Sequence, residues 1–308
     1  LESTGKSYMA AQIAANAQKQ GKVVIYFDSE SAIDPSFLER TGCDLERLMY
    51  VQASSVEFVL ETIEELLSAA DDKIVFIWDS LAFTPSVSDV EGDFNPQSSM
   101  AVKARILAKG MSKLTIPLAD AQATLIVLNQ LKTNIPQGPN ARIVAMTTPY
   151  TTPGGKAMHY SYSLRIWLTG RKAKSSFIED EKGFRIGSEV KVKLEKSRFG
   201  TQGRSCAFRI LWGTEEIGIR DEESWFDAIK GSESLTSAGA WYTLSTPDGY
   251  TKKFQPSKWT DLITNDSEFK ERVIRIMDKE IVQKFDKREG DAKAYYEDQE
   301  DLTVPVKE

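Results

Sequence analysis

Three short, largely apolar runs each end in polar residues. Val23-Val24-Ile25-Tyr26-Phe27 ends in Asp28, Ile74-Val75-Phe76-Ile77-Trp78 in Asp79, and Thr124-Leu125-Ile126-Val127-Leu128 in Asn129-Gln130. Five apolar residues without alternation predict a strand covered on both faces, which is the mark of a parallel sheet. Helical patterns lie around the runs, at Lys6 to Gln20, at Ser55 to Ala69 with Phe58, Leu60, Ile63, Leu66 and Leu67 apolar, and at Ser98 to Leu118. Alternating strand and helix predict an α/β fold with a doubly wound, mostly parallel sheet. The polar strand ends then gather at one edge, where such sheets bind their ligands.

Ahead of the first run, Glu2-Ser3-Thr4-Gly5-Lys6-Ser7 has the form of the end of a G-x-x-x-x-G-K-[ST] loop whose first glycine would stand one residue before Leu1. Such a loop cradles phosphate oxygens with successive backbone N–H groups and the N-terminus of the next helix. Lys6 is expected to reach the terminal phosphates and Ser7 to ligate Mg²⁺. Asp79 stands where a carboxylate of the Mg²⁺ shell belongs, and Glu30, just past the first run, is placed to orient or deprotonate an attacking water. Gln130 can hydrogen-bond a γ-phosphate and pass its presence to the segment that follows. Asp79 has a competing structural role as a strand-end cap or turn residue, and Glu30 taken alone would mean little.

The chain has 308 residues, 41% hydrophobic and 27% charged, which suits a soluble protein with one large core and a smaller appendage. No apolar run reaches membrane-spanning length, so no membrane partner is expected. Cys43 and Cys206 are far apart, which argues for a reducing compartment and against a zinc site. His159 is the single histidine, which argues against Ser-His-Asp and Cys-His catalysis and leaves metal chemistry to oxygen ligands. Net charge is −6, yet no Asp or Glu occurs from Leu131 to Ile178, where Lys132, Arg142, Lys156, Arg165, Arg171, Lys172 and Lys174 fall. A basic zone in an acidic chain is the footprint expected of a nucleic-acid channel, although a solvated surface would look similar.

From Leu131 to Gly155 the chain carries Pro136, Gly138, Pro139, Pro149, Pro153, Gly154 and Gly155 without periodicity, which predicts a long functional loop. Later strands are expected at Ser163 to Leu168, Glu189 to Leu194 and Ala207 to Leu211. The composition shifts beyond Gly213, with a helix near Glu222 to Lys230, an aromatic strand at Trp241 to Leu244 and a helix from about Ser267 to Phe285. The expected organisation is a core over 1–213, a small α/β domain over 214–285 and an acidic tail over 286–308.

These motifs, in this order, resemble the RecA family of DNA-strand-exchange ATPases across nearly the whole chain. Phe27-Asp28-Ser29-Glu30-Ser31-Ala32-Ile33-Asp34-Pro35 is similar to the family segment that holds the catalytic glutamate. The resemblance implies that Glu30 has that role and that Asp34 and Phe37 contact adenine. Asp79-Ser80 matches the Mg²⁺-side strand, Asn129-Gln130 the γ-phosphate sensor, and Gly154-Gly155 the pair closing the second DNA-binding loop. Val90-Glu91-Gly92-Asp93 followed by Met100 and Arg105 resembles the first DNA-binding loop and its helix. Gly187-Ser188-Glu189 leading to Glu195-Lys196-Ser197-Arg198 resembles the strand whose two cations, here Lys196 and Arg198, reach a neighbouring subunit's ATP. The Glu-Lys-Ser-Arg form is closer to phage recombinases of the UvsX type, and Ala238-Gly239-Ala240-Trp241-Tyr242 looks like the bacterial C-terminal domain. Ser112 stands where bacterial members have a DNA-contacting arginine, leaving Lys113 as a substitute, and Lys156 replaces an asparagine after the glycine pair.

The resemblance implies a RecA-like P-loop ATPase that binds ATP and Mg²⁺, forms a helical homo-oligomeric filament on single-stranded DNA, and pairs it with double-stranded DNA in recombination and repair. It further implies a cytoplasmic location, in the host if the protein is phage-encoded. Two rivals remain: another RecA-fold ATPase, helicase-like or ring-forming, and a noncatalytic DNA-binding paralogue. Single-strand-stimulated ATP hydrolysis separates them.

Overall fold

The computed structural model describes residues 4–31, 33–69, 73–92, 100–135, 138–147, 150–170, 176–200, 202–213 and 217–282. Glu2 and Ser3 of the loop, Asp93, Arg171, Lys172, Lys174 and the acidic tail lie outside them, as do the side chains of Met100 and Lys156. The chain forms two compact units: a first running to Ile219, and a second from Arg220 that also takes residues 199–201 and 206–208.

The first unit opens with α1 (Lys6–Lys19), β1 (Val23–Asp28), α2 (Pro35–Arg40), β2 (Leu48–Gln52), α3 (Val56–Ala69), β3 (Ile74–Asp79), α4 (Val87–Glu91), α5 (Met100–Asp120) and β4 (Thr124–Val127). Its parallel sheet has the order β2-β1-β3-β4. Strand periodicity divides β1 and β3 between two layers. Ile25, Phe27, Phe76 and Trp78 pack with Val59, Ile63 and Leu67 of α3 and with Leu107 and Leu114 of α5. Val24, Tyr26, Val75 and Ile77 pack instead with Ala10, Ala11, Ala14, Ala15 and Ala17 of α1. The alanine face lets α1 lie close to the sheet, and the two layers make the sheet doubly wound as expected.

The third apolar run differs. Strand β4 is at the edge of this sheet, and Leu125, Ile126 and Val127 are only half-buried. Phe58 of α3 also turns outward at 38% exposure, because it lies off the face set by Val56, Val59, Leu60 and Ile63.

Helices α3 and α5 meet closely at Gly110, where an added Cβ would lie 2.4 Å from Leu60 Cδ1. Gly110→Val is therefore expected to lower stability by roughly 1–3 kcal/mol through overpacking, despite a small gain in helix propensity. Denaturant unfolding, read as a midpoint shift at constant slope, checks this.

The predicted loop from Leu131 to Gly155 is more ordered than its composition suggests. It contains β5 (Lys132–Thr133) paired antiparallel with β6 (Tyr150–Thr151), and α6 (Ala141–Thr147). The Pro and Gly residues punctuate this segment without breaking its seven-residue helix. Then follow α7 (Gly155–Ser161), β7 (Leu164–Gly170), β8 (Phe177–Glu179), β9 (Arg185–Ser197), β10 (Ser205–Leu211) and β11 (Gly218–Arg220). They form a separate sheet of order β11-β10-β9-β7 with β8 beside β9, antiparallel where β9 meets β7 and β8. Strand β9 runs well past both ends of the expected Glu189 to Leu194.

The second unit contains α8 (Glu222–Ile229), β12 (Leu235–Ala238), β13 (Trp241–Ser245), β14 (Thr251–Phe254), α9 (Trp259–Asn265) and α10 (Ser267–Met277), the last continued by a wider turn over Asp278–Val282. Its core is aromatic: Phe254, Trp259 and Phe269 have ring centroids 5.5 to 5.7 Å apart. The Phe254–Phe269 and Trp259–Phe269 pairs are edge-to-face, a geometry that adds about 0.5–1.5 kcal/mol each beyond buried area. Trp241 lies on the outer face of the meander, 42% exposed, with Lys253 Nζ 5.1 Å from its ring centroid.

Candidate nucleotide and nucleic-acid site

The strand periodicity that builds the core also builds the site. Asp28 and Asp79 continue the face of Tyr26 and Ile77, so both carboxylates emerge on the α1 side at the carboxyl edge of the sheet, where they are register partners. The first turn of α1 stands there too. Ser7 Oγ donates to Asp79 Oδ2 at 2.8 Å, and Tyr26 OH donates to the same oxygen at 2.9 Å. Burial, then the charges of Glu30 and Asp28, hold the Asp79 carboxyl above the usual carboxylate range, against the lowering effect of the Ser7 and Tyr26 hydrogen bonds.

Glu30 is placed by a second set of contacts. Ser80 Oγ donates to Glu30 Oε1 at 3.0 Å, while the Glu30 backbone N–H donates to Asp28 Oδ1 at 2.9 Å. Asp28 Oδ2 in turn accepts from Tyr50 OH at 2.7 Å and from the Ile33 N–H at 3.3 Å. Ser29 joins the two strand ends: its N–H donates to the Asp79 carbonyl at 2.8 Å, its hydroxyl reaches the Ser80 carbonyl at 2.9 Å, and the Ser80 N–H points back at that hydroxyl. The Asp79–Ser80 peptide is cis. Glu30, Asp79, Ser7 and Ser80 are thus brought together as the sequence suggested. Tyr26, Tyr50 and Ser29 were not foreseen, because a tyrosine within an apolar strand reads as core.

The donor set fits Mg²⁺. A hydroxyl and a carboxylate in mutual contact, oxygen only, suit a hard cation. A buried carboxylate with two acids nearby is the place where a cation relieves the most repulsion. At the loop, Gly5 has φ 78°, a conformation that favours glycine, and Thr4 Oγ1 is buried without a partner among the described residues.

The adenine-side residues have structural partners of their own. Asp34 caps α2, accepting from the Ser36 N–H at 2.9 Å and from its hydroxyl at 2.6 Å. The Ser36 hydroxyl, then the backbone bond, hold its carboxyl below the usual range. Phe37 packs edge-on against Tyr8 with centroids 4.7 Å apart. Both residues therefore have structural occupations that need no adenine.

At the end of β4, the Asn129 side chain donates to the Pro153 carbonyl and accepts from the Gln130 N–H, both at 2.9 Å. The Gln130 carboxamide has no partner among the described residues. Gly154 and Gly155 have φ of 104° and 73°, so two successive left-handed residues are required, and an added Cβ on Gly155 would stand 3.2 Å from Ala104 of α5. Lys103, unforeseen, donates to the Leu81 carbonyl at 2.8 Å and to that of Thr84, tying α5 to the turn after β3; burial holds its ammonium below the usual lysine range.

The expected DNA contacts divide. Arg105 and Arg142 are exposed on α5 and α6. Lys113 instead forms an ion pair with Glu64 at 2.6 Å across α3 and α5, an ordinary interhelical role. Lys196 and Arg198 donate to the carbonyls of His159 and Tyr160, the latter at 2.6 Å, at the C-terminal end of α7. Arg165, the register partner of Lys196, donates to His159 Nδ1 at 2.9 Å and to Thr152 Oγ1 at 3.1 Å. Burial, then the Arg165 and Lys196 charges, hold the imidazole below its usual pKa. No carboxylate pairs with these four basic side chains among the described residues.

A helix whose first turn meets the acidic ends of a doubly wound parallel sheet is the arrangement of a phosphate-loop α/β fold. The comparisons with known proteins are more specific. The RecA N-terminal domain family matches residues 1–218, and the chain belongs to the RecA family. It is 33% identical over 246 residues to the Protein RecA of Fusobacterium nucleatum subsp. nucleatum, covering 79% of this chain and 60% of that protein. The Protein RecA of Bifidobacterium breve is 32% identical over 243 residues, 79% of this chain and 57% of its own. That of Colwellia psychrerythraea is 30% identical over 244 residues, 79% of this chain and 66% of its own. The chain thus matches less than two thirds of the length of these relatives. No helix of the described residues is long and apolar enough to cross a membrane.

Proposed function

We propose that the protein is an ATP-dependent DNA recombinase that forms helical filaments on single-stranded DNA and promotes homologous pairing and strand exchange, acting in the cytoplasm. The observation that carries this reading is one strand end: Ser7 touches Asp79 while the adjacent Ser80 holds Glu30, in a chain of the RecA family. The Glu195-Lys196-Ser197-Arg198 sequence supports a phage-type member.

In this reading the N-terminal turn of α1 binds the phosphates of ATP, with Lys6 on the terminal ones, and Ser7 with Asp79 would hold Mg²⁺. When bound, Mg²⁺ supplies positive charge against the charge that develops on the phosphoryl oxygens. Glu30 orients a water and takes its proton at a carboxylate oxygen, with Ser80 fixing the other. Gln130 senses the terminal phosphate. Because Asn129 ties this strand end to Pro153, a shift there reaches the Gly154–Gly155 pair and the basic segment around it. Lys196 and Arg198 act on the ATP of a neighbouring subunit.

The test is ATP-dependent pairing of single-stranded DNA with homologous duplex, together with the salt dependence of single-strand binding. Each neutralised phosphate contributes a slope of about −0.7 in log K against log salt. Arg105→Ala and Arg142→Ala are each expected to weaken binding and flatten that slope by roughly 0.7. Binding indifferent to salt, or pairing that proceeds without ATP, counts against the reading.

A further inference from the structure

The proposed metal side of the site has a supporting residue that the phosphate-loop motif does not include. Tyr26 lies in the middle of β1, fully buried, with its ring in the α1-side core. Its hydroxyl is 2.9 Å from Asp79 Oδ2, the oxygen that also accepts from Ser7 at 2.8 Å. Both donors are on one oxygen. Oδ1 has no hydrogen bond among the described residues, so it is the oxygen of Asp79 left to face a cation or a cation-bound water. Ser7 Oγ, whose O–H donates to Oδ2, keeps its lone pairs for the same ion.

A carboxylate held only by Ser7 could rotate about its Cβ–Cγ bond and exchange its oxygens. A second donor from a rigid ring, fixed within the sheet beneath it, removes that freedom. Tyrosine suits this position because its reach is set by the ring and its two χ angles are locked by packing. We propose that Tyr26 is the positioning residue of the metal side: its buried hydroxyl fixes Oδ2 of Asp79 so that Oδ1 and the Ser7 hydroxyl together present a preformed two-oxygen seat to Mg²⁺. This rests on the ATP and Mg²⁺ reading above, and adds to it a residue that touches neither nucleotide nor metal.

Tyr26→Phe removes the hydroxyl and keeps the ring. The measurement is equilibrium binding of a fluorescent ADP as Mg²⁺ is titrated, with Mn²⁺ binding followed by electron paramagnetic resonance as a direct readout of the ion. Loss of an outer partner of a metal-holding carboxylate typically costs 10–100-fold in metal affinity. The half-saturating Mg²⁺ concentration is therefore expected to rise about tenfold or more, with Mn²⁺ affinity falling in parallel. At saturating Mg²⁺ the variant is expected to bind ADP as the parent does.

In an Asp79→Asn background the same change is expected to have no further effect, because Tyr26 acts through that carboxylate. Superimposable Mg²⁺ curves for parent and Tyr26→Phe overturn the assignment, and so does an equal extra shift in the Asp79→Asn background. A Tyr26→Phe protein that melts early and binds no ADP at any Mg²⁺ concentration makes Tyr26 a packing residue and overturns it as well. A parent that shows no Mg²⁺-dependent nucleotide binding overturns the ATP reading itself, and is distinguished by being visible before any substitution is made.

Discussion

Glu30→Gln is expected to slow ATP hydrolysis by about 10²–10⁴-fold, the range for losing a positioned general base, while leaving Mg²⁺-dependent nucleotide binding intact. The amide keeps the size of the carboxylate and can still meet the Ser80 hydroxyl, now 3.0 Å from Oε1, but it has no basic oxygen to take a proton from water. The backbone contact is unaffected, since Asp28 holds the Glu30 N–H rather than its side chain. Binding and turnover should therefore separate: fluorescent nucleotide binding near the parent value, and single-strand-stimulated phosphate release near background. Turnover equal to the parent's removes Glu30 from the role proposed for it. A joint loss of binding and turnover points instead to a damaged strand end.

Strands β1 and β3 were legible because burial on both faces writes itself into sequence as an unbroken apolar run, and the polar residues ending those runs could be placed on one edge by topology alone. Strand β2 was not legible. Met49 and Tyr50 are 47% and 44% exposed, so the pattern there lacks a buried-strand signature. The helix α6 was hidden by the prolines and glycines around it, which mark where a segment turns without saying what lies between the turns.

At the site, the motif residues Ser7, Asp79 and Glu30 could be found from spacing, but their supports could not. Tyr26 and Tyr50 look like core letters, and their hydroxyl partners come from other strands 53 and 22 residues away. At Lys113 the sequence hid a neighbour. A cation on a helix after a loop invites a DNA role, yet Glu64, 49 residues distant and one helix over, is its neighbour. No structural role was expected of Asp34, although its carboxylate caps α2; an Asp followed by Pro at a helix start is the signal that finds such a cap.

The second large effect is expected at Lys196 and Arg198. The two residues stand two apart at the end of β9, and both reach α7 in the isolated protomer, bonding the His159 and Tyr160 carbonyls. Carbonyls at a helix C-terminus carry partial negative charge and attract cations, so this is a sound resting place. A terminal phosphate has full negative charge and is the stronger acceptor. If the cations transfer to a neighbour's ATP on assembly, a Lys196→Ala/Arg198→Ala protein should lose about 10³-fold or more of its turnover, as for a missing arginine finger. The same protein keeps its own Glu30, whereas Glu30→Gln protein keeps both cations. Each supplies what the other lacks. In a head-to-tail filament mixed at random from equal amounts, about one quarter of interfaces pair an intact Glu30 with intact cations. Turnover on single-stranded DNA should therefore pass through a maximum near equal mixing, at roughly a quarter of the parent rate by the same random assortment. A flat line at the background of the two single proteins would mean that Lys196 and Arg198 do no more than cap α7 within their own chain.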